Sequence, residues 1–466
     1  MNFIKKFDRQ TQDQHHQPHI LTDGQNTCSY GELETIFHEL DAFFLRQGIT
    51  VAMPLVLECE NTLPAALTLL YLLQNNYSFV LLPSPCDASS LPPFCRFCIK
   101  ICGEKLDAGP DSYLCLIVNK KWNGKAADDE GKLYLRTSGS TGVPKLVVHS
   151  HRKLRQNALN CLERLQLDEN DRIAIPVPIF HMFGLGAAFL PAVMAGASVD
   201  LQKGANLLKY LPRERAFNPN VAFMTPIFCE TLLKVRRTSR PYRLTVTAGD
   251  RFRGEGAFAR YEALFGTVVN LYGSTEMGAM SVASPDDSFE NRSETACKPL
   301  HEVALRIKNS DTQTGELLCR HAAGFRGYAD LAGNRADSPE SEKGWFPTKD
   351  IGQILPDGRI KVMGRQEHCV NRDGLLVFFA DVETSLKGIE AVENAVVIAK
   401  GESSRGKGMI ACCVPAQGST ANATDIRKVC LDILPARAVP DQIVLLDELP
   451  MLPSGKIDRK QIEQII

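Results

Sequence analysis

The chain has 466 residues, 44% of them hydrophobic and 23% charged. This is ordinary globular usage, which excludes disordered and fibrous classes and suggests two to four domains at about 100–200 residues each. Lys plus Arg number 53 against 54 Asp plus Glu, a net charge of −1; no global field would hold the chain on nucleic acid, and an anionic ligand must be gripped locally.

The 15 cysteines are scattered and odd in number, and Met1–Lys6 leads into polar residues rather than a signal-peptide core, so reduced thiols in a cytoplasmic protein are expected. A polar head rich in Gln and His runs to about Ile20. Leu63–Leu73 contains Pro64 and is well short of the roughly 20 apolar residues that span a bilayer, so it is predicted to be a buried helix and not a membrane span. Phe79–Leu82 is predicted as a buried strand. Cys95, Cys98 and Cys102 have a metal-like first spacing but lack the second pair a zinc site needs, which leaves packing or solvent-facing thiols.

Strands are predicted at Leu114–Val118, Lys132–Leu135, Arg172–Val177, Val221–Met224, Leu244–Thr247 and Thr267–Leu271, with a helix over His151–Leu165. This alternation predicts an α/β fold with helices on the sheet faces. Around residues 315–370 shorter strands and turn signals such as Pro356-Asp357-Gly358 suggest a smaller β unit. Beyond about Glu367 a further compact piece has strand-like Ala395–Ala399 and Met409–Val414 and a helix over Ala423–Ile433.

The most informative stretch runs from an apolar strand into Thr137-Ser138-Gly139-Ser140-Thr141-Gly142-Val143-Pro144-Lys145. Glycines let amide N–H groups approach an anion, hydroxyls add donors, and a lysine adds a point charge, so this is a phosphate-binding composition. It is not the P-loop of NTPases, because Pro144 precedes Lys145 and Leu146 follows it. The stretch resembles the phosphate loop of the adenylate-forming superfamily: acyl- and aryl-CoA synthetases, luciferase-like enzymes and adenylation domains of peptide synthetases.

Further motifs follow in that family's order, and the resemblance covers nearly the whole chain from Tyr30 to Lys456. It implies that Tyr272, in Tyr272-Gly273-Ser274-Thr275-Glu276, stacks on adenine, that Thr275 touches the phosphates and that Glu276 helps hold Mg²⁺. Phe346-Pro347-Thr348-Lys349-Asp350 is similar to an element whose aspartate binds the ribose hydroxyls, with Lys349 in place of the usual glycine. Arg365 corresponds to an arginine that reaches ribose and phosphate, Glu367 to an acidic hinge, and Lys456 to a catalytic lysine. The element Phe180-His181-Met182-Phe183-Gly184 resembles that of acyl- and aryl-CoA synthetases, in which the histidine borders the acyl pocket; Thr225, Ala248 and Gly249 resemble pocket-lining residues. An aspartate for an α-ammonium group is missing beside Phe180, which favours an acid without an α-amine.

Past Glu367 the match weakens: the usual Lys-x-x-Gly appears as Asn371-Arg372-Asp373-Gly374, and Pro-x-Glu-Ile-Glu as Phe379-Ala380-Asp381-Val382-Glu383. The resemblance implies a large multi-sheet α/β adenylating domain over residues 1–365 and a small mobile α+β domain over 366–466. It implies ATP and Mg²⁺ as cofactors and a thiol acceptor. Coenzyme A is the expected acceptor, an acyl or peptidyl carrier protein the alternative, and a catalytically silent nucleotide-binding protein the remote one. With this length, no fused carrier domain is expected.

Overall fold

The computed structural model describes residues 3–4, 19–86, 91–103, 105–106, 108–127, 130–137, 145–204, 206–236, 240–252, 256–295, 298–308, 313–336, 344–373, 375–403, 406–451 and 457–466. The chain has the expected α/β architecture and divides into two compact units. One comprises residues 1–305, 318–347 and 355–360, the other residues 306–317, 348–354 and 361–466.

Two eight-stranded sheets make the framework of the first unit. In one, Val268–Ser274, Leu244–Ala248, Val221–Met224, Arg172–Ile175 and Ser198–Leu201 are parallel neighbours in that order. Runs such as Val-Ala-Phe-Met, apolar on both faces, suit a sheet covered on both sides. In the other, Leu55–Cys59, Phe79–Pro83 and Lys132–Thr137 are parallel, and Lys145–Ser150 returns antiparallel beside Lys132–Thr137. Between the sheets lies one large apolar cluster that includes the helix Leu63–Gln74, buried along its whole circumference as its uninterrupted apolar sequence dictates. Among the described residues no helix is long and apolar enough to cross a membrane.

The predicted helices His151–Leu165 and Ala423–Ile433 have those bounds. Several strands differ in length, because a ladder partner sets where a strand ends. Arg172–Ile175 stops before the predicted Val177, Val268–Ser274 continues past Leu271 against Gly278–Val282, and Val392–Ser403 runs far beyond Ala395–Ala399 beside Gly406–Pro415. Cys95 and Cys98 are buried in an apolar cluster, and Cys102 is exposed.

In the second unit, Gly406–Pro415 is flanked by Val392–Ser403 and Gln442–Leu445, with Phe379–Lys387 and Ala423–Ile433 contributing apolar residues to the same core. Arg372, fully buried, pairs with Asp441 at 2.6 Å and donates to the Val439 carbonyl. Glu383 is held by Arg459 at 2.6 Å and accepts from the Val397 amide. Of the residues that depart from the family pattern, Phe379 and Val382 are buried in this same core.

Candidate active site

Four neighbouring parallel strands end on one edge of the first sheet, and open α/β sheets bind ligands at the carboxyl ends of their strands. Tyr272 and Gly273 lie near the end of Val268–Ser274, Ala248 closes Leu244–Ala248 with Gly249 next, and Thr225 follows Val221–Met224. The segment after Arg172–Ile175 carries Phe180, His181 and Phe183. It is fastened by buried Asn61, whose amide donates to the carbonyls of Ile175 and Val177 and accepts from the Ile179 amide, each at 2.9 Å. His181 is exposed, its ring 4.6 Å from that of Phe180, while Phe183 packs 6.1 Å from Phe223.

Gly184 is the second residue of a π-helical stretch, Phe183–Phe189, of the wide-turn kind frequent at functional sites. A Cβ there would stand 2.1 Å from the Pro178 carbonyl oxygen, so the fold of this segment requires glycine. Beyond Gly249, with φ of 90°, a Cβ would meet nothing within 4 Å.

The hairpin between Val268–Ser274 and Gly278–Val282 turns through Thr275, Glu276 and Met277. Half-buried Glu276 accepts at Oε1 from the Tyr328 hydroxyl, 2.8 Å away, and Lys145 Nζ lies 5.7 Å from the centre of the Tyr328 ring. Burial, and then the Glu276 carboxylate, push the Tyr328 hydroxyl well above its ordinary pKa, so it remains a donor. Lys145 is paired in register with Thr137, so the two ends of the glycine-rich stretch are adjacent. The turn is also tied through its backbone: His149 Nε2 meets the Thr275 carbonyl at 2.7 Å, the Phe325 amide the Glu276 carbonyl at 2.7 Å, and His321 Nδ1 the Met277 carbonyl at 2.7 Å.

In the second unit, Asp350 is buried and pairs with Arg365 at 3.2 Å, while Arg365 also donates to the Thr348 carbonyl. Lys349, on the glycine position of the motif, has φ of 59°. The left-handed backbone that glycine ordinarily supplies is therefore kept by a lysine. Glu367 lies in the single turn Gln366–His368, none of whose residues is buried.

The model of the AMP-binding enzymes matches residues 119–329, and that of the AMP-binding enzyme C-terminal domain matches residues 381–456. The chain belongs to the adenylate-forming superfamily. Salicylyl-CoA synthase / salicylate adenylyltransferase of a Streptomyces species is 27% identical over 360 residues, 73% of this chain and 64% of that protein. Oxalate–CoA ligase of Arabidopsis thaliana is 27% identical over 377 residues, 77% of this chain and 73% of that protein. Among solved structures, o-succinylbenzoate CoA synthetase of Bacillus subtilis in complex with its acyl-adenylate superposes with a TM-score of 0.80 at 20% identity, covering 96% of this chain and 95% of that one. At that identity the likeness establishes the fold.

Of the adenylate-forming motifs, Ser138, Gly139, Ser140, Thr141, Gly142 and Lys456 lie outside the described residues, and of Thr137 only the backbone is described. The first unit brings the turn of Tyr272–Glu276 to the strand of Lys145, and the second brings Asp350 to Arg365. Sequence reading missed Tyr328, Asn61, His149 and His321. Tyr328 carried a weak signal, an aromatic directly after Gly327 in a short strand; the other three are recognisable only by what they touch.

Proposed function

We propose that this adenylate-forming chain is an ATP-dependent acid–thiol ligase, acting on a hydrophobic carboxylic acid without an α-amine and passing the acyl group to coenzyme A. The observation that carries the reading is the juxtaposition, through Tyr328, of Glu276 with Lys145 beside the carboxyl ends of the parallel strands. In the first step a carboxylate oxygen attacks the α-phosphorus of ATP; the bond to the pyrophosphate oxygen breaks, giving acyl-adenylate and pyrophosphate. In the second, a thiolate attacks the acyl carbonyl and AMP leaves.

The chain's own part is to bring two anions together and offset their repulsion. His181 meets the carboxylate, and Phe183, Thr225, Ala248 and Gly249 line the acyl side, where each buried methylene contributes about 0.8 kcal/mol. Tyr272 stacks on adenine, Gly273 leaves room for it, and Asp350 with Arg365 holds the ribose. Thr137 to Gly142, with Lys145, enclose the phosphates, and Lys456 brings a cation to the reacting centre. Glu276 fits Mg²⁺, a hard ion that seeks oxygen ligands, because only one oxygen of this half-buried carboxylate is engaged by Tyr328 among the described residues. Bound there, Mg²⁺ would shield the charge of the departing pyrophosphate. In this reading residues 1–365 are the adenylating body and 366–466 a mobile domain that turns about Glu367 between the steps, whereas by compactness residues 306–317, 348–354 and 361–365 group with the C-terminal unit.

A carrier-protein acceptor is the second reading, favoured by the departures at Asn371–Gly374 and Phe379–Glu383. Incubation with a panel of acids, ATP and either acceptor, with the thioester read by mass, distinguishes the two. Lys456→Ala is expected to lower acid-dependent ATP–pyrophosphate exchange by at least about 100-fold while sparing thiolysis of supplied acyl-adenylate. Equal loss of both reactions would remove Lys456 from this role, and release of ADP in place of AMP would sink the ligase reading.

A further inference from the structure

The backbone of the Glu276 turn is held to an unusual degree. Three consecutive carbonyls, of Thr275, Glu276 and Met277, each accept a hydrogen bond from outside the hairpin, and the Met277 amide donates to Ser274 Oγ at 3.0 Å. A carbonyl oxygen only accepts, so the protons lie on His149 Nε2 and His321 Nδ1. Both rings are buried. His149 projects inward from the strand Lys145–Ser150, whose first residue is Lys145; His321 ends the strand Thr314–His321.

With its proton on Nδ1, a neutral His321 ring carries a lone pair on Nε2, and that atom is buried without a hydrogen-bond partner among the described residues. A leucine would remove this unpartnered nitrogen but would leave the Met277 carbonyl without its donor, so the imidazole serves that carbonyl rather than packing. The segment that follows is close-fitted as well: Lys153 Nζ donates to the Gly324 carbonyl at 2.9 Å, and a Cβ on Gly324 would stand 2.9 Å from Met277 Sδ.

We propose that His149 and His321 are positioning residues of the adenylating site, holding the carbonyls on either side of Glu276 so that its carboxylate is set for Mg·ATP. This inference rests on the ligase reading above. Tyr328 engages one carboxylate oxygen, and the two imidazoles fix the backbone from which the carboxylate projects; neither touches the nucleotide. Outer groups that orient a metal ligand are commonly worth 10- to 100-fold in metal affinity or activity.

The two histidines present different nitrogens, which gives an internal control. An asparagine amide reaches about as far as Nδ1, and a glutamine amide about as far as Nε2. His321→Asn and His149→Gln should therefore retain the clamp, whereas His321→Gln, His149→Asn and either leucine variant should lose it. Thermal unfolding identifies the folded variants. Calorimetry then measures binding of a non-hydrolysable ATP analogue with and without Mg²⁺, and acid-dependent exchange is followed against Mg²⁺ concentration.

The clamp-losing variants are expected to need about ten-fold more Mg²⁺ and to bind the Mg·analogue about ten-fold more weakly, with binding of the metal-free analogue unchanged. The matched amides should stay within about three-fold of wild type. Mg²⁺ dependence that is unaltered in the folded variants, or that does not separate Asn from Gln at either position, overturns the proposal. A wild-type chain that exchanges pyrophosphate with no acid of the panel defeats the ligase reading itself, which is a different result from exchange without the Asn/Gln pattern.

Discussion

At the scale of a single residue, Lys349 carries the clearest conflict between side chain and backbone. It lies within the strand Phe346–Ile354 at φ of 59°, between Thr348, whose hydroxyl donates to the Leu317 carbonyl, and Asp350, whose amide donates to Thr348 Oγ1. Those bonds fix the backbone on both sides and keep a non-glycine residue in the left-handed region, at a cost of about 1–2 kcal/mol. Glycine would relieve that strain while losing roughly 0.5–1 kcal/mol through its freer unfolded chain. Lys349→Gly is therefore expected to raise stability by about 0.5–1 kcal/mol, and Lys349→Val to lower it, as measured by denaturant unfolding. The residue types of the motif were readable from sequence; that Lys349 keeps the glycine backbone was not, because no local pattern encodes a conformation imposed by flanking hydrogen bonds.

Among the elements, the stretch from Pro178 to Phe189 is held by a close approach rather than by propensity. The Pro178 carbonyl cannot retreat easily from Gly184, since Asn61 ties the backbone on both sides of it at Val177 and Ile179. Gly184→Ala is expected to cost roughly 2 kcal/mol, in the range of overpacked core positions. Because the strain falls on the segment that carries His181, the KM for the acid should rise while that for ATP changes little; equal changes in both would detach this segment from acid binding. The helices His151–Leu165 and Ala423–Ile433 have bounds that follow from their own periodicity and flanking residues, and the short strands Leu114–Val118 and Val221–Met224 were located equally well. Longer strands were less legible because the partner strand decides their length, as Val392–Ser403 illustrates. The same distinction holds in the site: the motifs are contiguous, whereas His149 meets Thr275 across 126 residues and His321 meets Met277 across 44.

For the molecule as a whole, acid protonates the 54 Asp and Glu side chains while the 53 Lys and Arg stay charged, a general repulsion to which individual buried groups add their own dependence on pH. His151 is the clearest of these outside the site. It opens the helix His151–Leu165, packs 6.0 Å from the Phe79 ring and has no hydrogen-bond partner of good geometry on either nitrogen among the described residues. Burial pushes it down from an ordinary 6.5 to about 4, against a weaker pull upward from the Leu73 backbone. Between those values the unfolded chain takes up a proton that the folded chain refuses. Stability is therefore fully present above about pH 6.5 and falls as pH drops toward 4, by on the order of 2–3 kcal/mol at pH 4.5 from this group alone. His151→Leu removes the proton uptake and both unpartnered nitrogens. The difference in unfolding free energy between variant and wild type should widen in favour of the variant by about that amount between pH 7.5 and 4.5, measured by urea unfolding in matched ionic strength. A constant difference across that range would show that His151 takes up its proton equally in the folded and unfolded chain.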